Sequence, residues 1–207
     1  MKIEKTKHSF HGNLRERRGT EMVVIHHSAS PDVSAKTIHQ WHRARGWAGI
    51  GYHYVIRKTG RVETGRPPDT IGAHAGPAAN GKSIGICVVG DLDKGPPTSE
   101  QLDSLVWLVV GHIYPRYGKL TITGHSEHMN TACPGRFFPM EEVRKRIEEE
   151  FEVRYKRIEE MPRWMRPHVE RLMDAGVLTG KGPGDLDVTE DMVRILIMVE
   201  RMLGGAK

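Results

Sequence analysis

A chain of 207 residues with 38% hydrophobic content and a mean hydropathy of −0.49 suits one ordinary domain plus a small appendage. No run approaches the ~18 apolar residues needed to cross a bilayer, and two cysteines exclude a disulfide framework. The net charge of +5 is uneven: residues 158–207 carry seven Lys/Arg and nine Asp/Glu, a net of −2, which leaves +7 on residues 1–157. A basic main domain suits an anionic partner such as a charged cell wall, whereas no predicted helix interleaves a basic face with aromatics, so nucleic acid is not expected.

The N-terminal stretch MKIEKTKHSFHGNLRERRGTE is basic and lacks the apolar centre of a secretory signal. The chain is therefore expected to be made in the cytoplasm and to need another protein's help to act outside. Amide residues are few (Asn13, Asn80, Asn130, Gln40, Gln101) and charges many, a composition that hints at a thermophilic source.

EMVVIHHSAS reads as a strand running into a turn, and SAKTIHQWHRARG as a helix with Ile38, Trp41 and His42 near one face. GYHYVIRKTGRVETG reads as a hairpin, with Tyr52, Tyr54 and Ile56 on one side and His53 and Val55 on the other. Trp41 and Trp47 are expected to pack in the core. Residues 65–82, rich in Gly, Pro and Ala, read as loop, and SIGICVVG as a central strand that buries Cys87. In GKSIGI the phosphate-loop spacing is absent.

TSEQLDSLVWLVVGHIYPRYG predicts one long helix capped by Thr98 or Ser99. LTITGHSEH predicts a short strand, and Met140 to about Ile158 a charged helix with Val143, Ile147 and Phe151 as its apolar stripe. A second unit begins near Pro162 as two helices around KGPGDLD, the later one with a stripe of Met192, Ile195, Leu196, Val199 and Leu203. Interleaved strands and helices predict an α/β fold, a central mixed β-sheet flanked by helices over residues 1–157, with a small helical C-terminal domain over 158–207.

Polar residues at strand ends are where such sheets carry their sites. His26 and His27 end the first long strand, His125 ends a late one, and Cys133 follows in a polar turn. Strand alternation puts His26 and His27 on opposite faces without choosing between them. Two imidazoles and a thiolate make a zinc set with a fourth position open to water, whose pKa zinc lowers while polarising a carbonyl. The same residues also fit a cysteine–histidine hydrolase with Cys133 as nucleophile, and spacing alone leaves both open.

The pieces VVIHHSAS, IHQWHRARGWAGIGYHYVIRKTGRVETGR, IGAHAG, NGKSIGICVVG and GHSEHMNTACPG, in that order over residues 22–135, resemble the zinc-dependent N-acetylmuramoyl-L-alanine amidases of the bacteriophage lysozyme and peptidoglycan recognition protein superfamily. The resemblance implies zinc held by His26, His125 and Cys133. It implies Tyr52 beside the metal, and Thr131 at a position where relatives carry lysine or threonine, as donors to the developing oxyanion. It places His74 and Asn80 along the substrate groove. No glutamate matches a general base; Glu127 lies near His125 as a candidate acceptor behind a ligand.

What the resemblance implies is hydrolysis of the amide between the lactyl group of N-acetylmuramic acid and L-alanine in bacterial peptidoglycan, by a phage endolysin acting on the wall after release, with a host autolysin as the other source. The rivals are a module that binds peptidoglycan without cleaving it and a cysteine–histidine peptidase. The C-terminal unit loosely resembles one surface-layer-homology repeat, which implies wall attachment; a cap or homodimerisation unit is the alternative. No membrane insertion is expected.

Overall fold

The strand Met22–His27 (β2) lies inside a six-stranded sheet whose other members are Ile3–Glu4 (β1), Tyr54–Ile56 (β3), Val62–Thr64 (β4), Ser83–Val88 (β5) and Thr121–Gly124 (β6), in the order β1-β4-β3-β5-β2-β6. β2 runs parallel to β5 and β6, β3 runs parallel to β5 and antiparallel to β4, and β1 runs parallel to β4. The sheet is mixed, as expected. In the computed structural model, residues 1–151, 154–155, 157–179, 186, 188–189, 192–193 and 195–198 are described.

Every residue of β5 is buried, which is why SIGICV reads as a continuous apolar run rather than an alternation. Alternation instead sorts the two faces. Val23, Ile25, Ile84, Ile86 and Val88 pack with Leu102, Leu105, Val143 and Ile147 in the larger core. Val24 packs with Ala75 and Ala79, and Val55 and Cys87 pack with Ala35, Ile38 and Ile50, on the other side. Each fully buried Val or Ile contributes about 1.5–3 kcal/mol relative to exposure. Cys87 is a buried thiol in the centre of the sheet, as its apolar run implied.

Helix Ala35–Ala44 (α1) starts at Ser34, whose side chain accepts from the Thr37 amide, and the buried Glu63 carboxylate accepts from the Ala35 amide at 2.6 Å. Its buried face is Ala35, Ile38 and His42; Trp41, expected there, is 37% exposed. Trp47 is 40% exposed and lies against the His42 ring at 4.6 Å. Neither indole is a core residue. A short helix, Gly76–Asn80 (α2), interrupts the expected 65–82 loop, with Pro77 in its first turn.

The long helix predicted over 98–118 is in fact three pieces: Ser99–Leu108 (α3), a π-helical segment Val109–Ile113, and Tyr114–Tyr117 (α4). The Tyr114 amide bonds to the Val109 carbonyl five residues back. Pro115, next in line, has no N–H to continue the α ladder, and the register widens ahead of it. Thr98 and Gln101 form the expected capping box, and the buried Gln101 amide also donates to Ile56 and Val89 carbonyls, tying α3 to the sheet.

The hairpin departs from simple alternation. Tyr52 packs with Ile50 and Val55, whereas Tyr54 and Ile56 belong to the opposite core. The carbonyls of Tyr52 and His53, neighbours in sequence, both accept from the β4 side, from the amides of Arg66 and Gly65. Two successive carbonyls facing one partner are a bulge, and a bulge shifts the side-chain phase by one residue.

Contacts divide the chain into Met1–Glu148 and Glu149–Lys207, against the expected boundary at 157/158. The charged helix spans Met140–Phe151 (α5) and ends before Ile158; Val143 and Ile147 are buried, but Phe151 is 38% exposed. The second unit contains Arg154–Tyr155 (β7), paired antiparallel with Val188–Thr189 (β8), and helix Arg166–Asp174 (α6), followed by Gly176 at φ 68°. Met161, Met165, Val169, Leu186, Val188, Val193 and Ile197 form its core. Met192 and Ile195 of the predicted stripe face out, while Val193 and Ile197 are buried. Val199, Leu203 and most of KGPGDLD lie outside the described residues. Among the described residues no helix is long and apolar enough to cross a membrane.

Candidate metal and active site

Parallel strands carry their sites at their C-terminal ends. β2 ends in His26 and His27, and the adjacent β6 runs straight into a 3-10 turn, His125–Glu127. The loop after that turn returns Cys133 to the end of β2, where its sulfur accepts from the His27 amide at 3.4 Å. His26, His125 and Cys133 thereby bring three ligand atoms within 4.8 Å of one another. The His26 Nδ1 lies 3.7 Å from the Cys133 Sγ, and the His26 and His125 ring centroids are 4.5 Å apart.

Burial, and then the neighbouring His125, push His26 well below the ordinary histidine range; burial, and then His128, lower His125. Both imidazoles are therefore neutral and keep a lone pair. Burial pushes the Cys133 thiol up to about 11, against the His27 amide that stabilises the thiolate. A thiolate here needs a cation beside it. The His125 Nε2 is buried, with no hydrogen-bond partner among the described residues. An orphaned buried nitrogen costs about 1–3 kcal/mol unless something occupies its lone pair. Two neutral imidazoles and a thiol, with one nitrogen unpartnered, fit a thiophilic divalent metal ion.

His27 points the other way, as alternation required. Its Nδ1 accepts from the Leu92 amide at 3.1 Å. With Asp91 and Asp93 it forms a second group of donors within 4.8 Å. Those donors are already engaged: Asp91 pairs with Lys94 and Asp93 accepts from the Arg136 amide.

Tyr52 lies against the His26 ring at 5.0 Å. Burial, and then Cys87, push its phenol well above the ordinary tyrosine value, so it is a proton donor at neutral pH. The Thr131 hydroxyl accepts from the Cys133 amide at 3.2 Å, which leaves its own hydrogen to donate elsewhere. Glu127 is not behind a ligand histidine: its carboxylate accepts from the Gly124 amide at 2.6 Å and from Arg144 on α5 at 2.7 Å. Arg144 also donates to the Ile122 carbonyl, so it fastens the turn carrying His125 to α5.

His74 and Asn80 sit behind the ligands. His74 is 8% exposed, and its Nδ1 is 3.0 Å from the His26 Nε2. Asn80 spends its side-chain oxygen on the amides of His74 and Ala75, both at 2.8 Å. The glycines of IGAHAG and SIGI find their reason here. A Cβ on Gly72 would stand 2.4 Å from the His74 ring, and one on Gly85 2.6 Å. The ring lies in a slot that only glycines leave open. Ser83 and His53, neither of them picked out from sequence, complete this layer: Ser83 Oγ is 3.5 Å from the His74 Nε2, and the two histidine rings meet edge to face at 5.6 Å. Nothing in the sequence but the glycine spacing signalled them.

A family model described as N-acetylmuramoyl-L-alanine amidase matches residues 16–136. The endolysin of Enterobacteria phage K11 is 37% identical over 127 residues, which cover 58% of this chain and 83% of that protein. Peptidoglycan-recognition protein LB of Drosophila melanogaster is 38% identical over 128 residues, 55% of this chain and 53% of that protein. Among solved structures, the N-acetylmuramoyl-L-alanine amidase LysC from Clostridium intestinale URNW superposes with a TM-score of 0.68 at 32% identity, covering 72% of this chain and 98% of its own.

Proposed function

Because the chain belongs to the N-acetylmuramoyl-L-alanine amidase family, we propose that it is a zinc-dependent endolysin. Its reaction is hydrolysis of the amide between the lactyl group of N-acetylmuramic acid and L-alanine in peptidoglycan. The observation that carries the metal reading is the convergence of His26, His125 and Cys133 within 4.8 Å, with the His125 Nε2 buried and unpartnered. Zinc bound there supplies Lewis acidity and a water of near-neutral pKa.

The chain's own residues do the rest. Neutral His26 and His125 and the Cys133 sulfur form the cradle, and the His27 amide steadies that sulfur. The protonated Tyr52 hydroxyl and the Thr131 hydroxyl donate to the carbonyl oxygen as negative charge develops on it. Thr131 is neutral, so the positive potential at that oxygen has to come from elsewhere in the site. We assign the wall as the place of action. The C-terminal unit is proposed to attach the enzyme to the wall, with pairing of two copies as the competing role; wall pull-down and sedimentation of the full chain separate them. A thermophilic source is proposed on composition and is tested by the melting temperature.

Digestion of purified cell wall tests the reaction. New amino termini of L-alanine without new reducing sugars support it; reducing ends alone mean a glycosidase. A second reading, a cysteine–histidine peptidase, is favoured only by the 3.7 Å approach of His26 Nδ1 to Cys133 Sγ. Chelation separates the two: the amidase loses activity and regains it with zinc, and the peptidase is indifferent. Binding without any digestion would identify a recognition module.

A further inference from the structure

From a chain of buried hydrogen bonds behind the site, we infer that His74, backed by Ser83, is a positioning residue that fixes His26 in the tautomer whose Nδ1 lone pair faces the metal. The inference rests on the zinc reading above. The direction of each proton follows from the last link. Ser83 has one hydroxyl hydrogen, and its oxygen is 2.7 Å from the Ala79 carbonyl, which can only accept. That hydrogen is therefore committed, and toward His74 the Ser83 oxygen can only accept. The His74 Nε2, 3.5 Å away, carries the hydrogen in that contact. A neutral imidazole has only one N–H, so the His74 Nδ1 is bare.

The bare Nδ1 lies 3.0 Å from the His26 Nε2, which must be the donor. The His26 proton then sits on Nε2, and its Nδ1, 3.7 Å from the Cys133 sulfur, is left with a lone pair. The reverse arrangement would put a hydrogen on the nitrogen that faces the other ligands. Ligand histidines usually hand their second N–H to a carboxylate, a carbonyl or water, and that acceptor fixes ring orientation and raises basicity. Here the acceptor is another histidine, neutral and buried, so no negative charge is added behind the metal.

Three features hold His74 in place. Gly72 and Gly85 leave room for its ring, and Asn80 takes the amide of His74 itself. Ser83 is fully buried on β5, the strand that pairs with β2. The direction of the His26 proton is thus set by a carbonyl of α2, three hydrogen bonds from the metal ligands. This assigns to His74 a role other than contact with substrate.

The test is zinc affinity of the full chain by chelator competition, with a second readout that needs no activity. His74→Leu, which removes the acceptor, should weaken zinc binding about 10–100-fold. His74→Asn, whose side-chain oxygen can stand where Nδ1 stood, should recover most of that loss. Ser83→Ala, a small change on a central strand, should weaken binding less than His74→Leu. In zinc-free wild type, nitrogen NMR should find His26 protonated on Nε2. His26 protonated on Nδ1, or His74→Leu and Ser83→Ala both binding zinc as wild type does, would overturn the inference while leaving the zinc site standing. A wild type that holds no zinc would overturn the zinc reading and the inference with it. Should His74→Leu fail to fold, the wild-type tautomer and the Ser83→Ala affinity still decide.

Discussion

The Thr131 hydroxyl accepts a hydrogen bond from the amide of Cys133, so the side chain proposed to donate to the oxyanion is oriented by the backbone of a proposed metal ligand. Replacing Thr131 with Val keeps the shape and removes both bonds. The expected result is a fall in kcat of roughly 10²-fold, with zinc content unchanged, since oxyanion donors act in the transition state. Thr131→Ser should retain most activity. Steady-state kinetics on soluble muropeptide, with metal analysis of both variants, checks this.

Tyr52→Phe removes a hydroxyl and leaves the ring against His26. We expect kcat to drop by roughly 10²-fold, KM to change little, and thermal stability to stay near wild type. A loss expressed mainly in KM would mean that the hydroxyl holds the ground state rather than the transition state.

Glu127 is occupied by the Gly124 amide and by Arg144. As it anchors a turn rather than handling protons, Glu127→Gln should preserve the pH profile of kcat. Glu127→Ala should cost about 1 kcal/mol of stability, a modest figure because the side chain is partly exposed. Urea unfolding and a pH–rate curve measure the two halves. A lost acidic limb in Glu127→Gln would identify it as the general base.

His53 is buried, accepting from the Gly85 amide and meeting the Thr70 carbonyl at 2.9 Å. Burial pushes it down to about 3. The unfolded chain titrates this group near its ordinary value, about 6.5. Between the two values the unfolded state binds a proton that the folded state does not, so stability falls as pH falls through that window. The slope from this one group is at most about 1.4 kcal/mol per pH unit. Denaturant midpoints of the metal-free protein at pH 7 and pH 4.5 should show the decline, and His53→Asn should flatten it.

Where the sequence carried local chemistry, the elements came out as read. Thr98 caps the helix it precedes, and the apolar SIGICV is a buried parallel strand. What was not legible depended on geometry between elements. Strict alternation put Tyr52 with Tyr54, but the consecutive carbonyls of Tyr52 and His53 bulge toward β4 and reverse the phase. Trp41 looked like a core residue because helical spacing does not say how wide the buried stripe is. The partners of the three converging donors show the same limit. His26, His125 and Cys133 are legible as residue types, and the family resemblance groups them. The burial of His74 was not legible, because a sequence does not show that Gly72 and Gly85 open a slot behind the sheet end.

His26 and Cys133 are 107 residues apart in the chain, on the penultimate strand of the sheet and on the loop after its edge strand. An ion gripping both closes a loop as long as most of the domain. Clasps on long loops act chiefly by shrinking the freedom of the unfolded chain, and for a span of about 100 residues the chain-entropy estimate approaches 5 kcal/mol. By this reckoning a metal held there would be a buckle as well as a reagent. Cys133 follows the last strand of the sheet, so the proposed clasp could close only once that strand has been synthesised and docked.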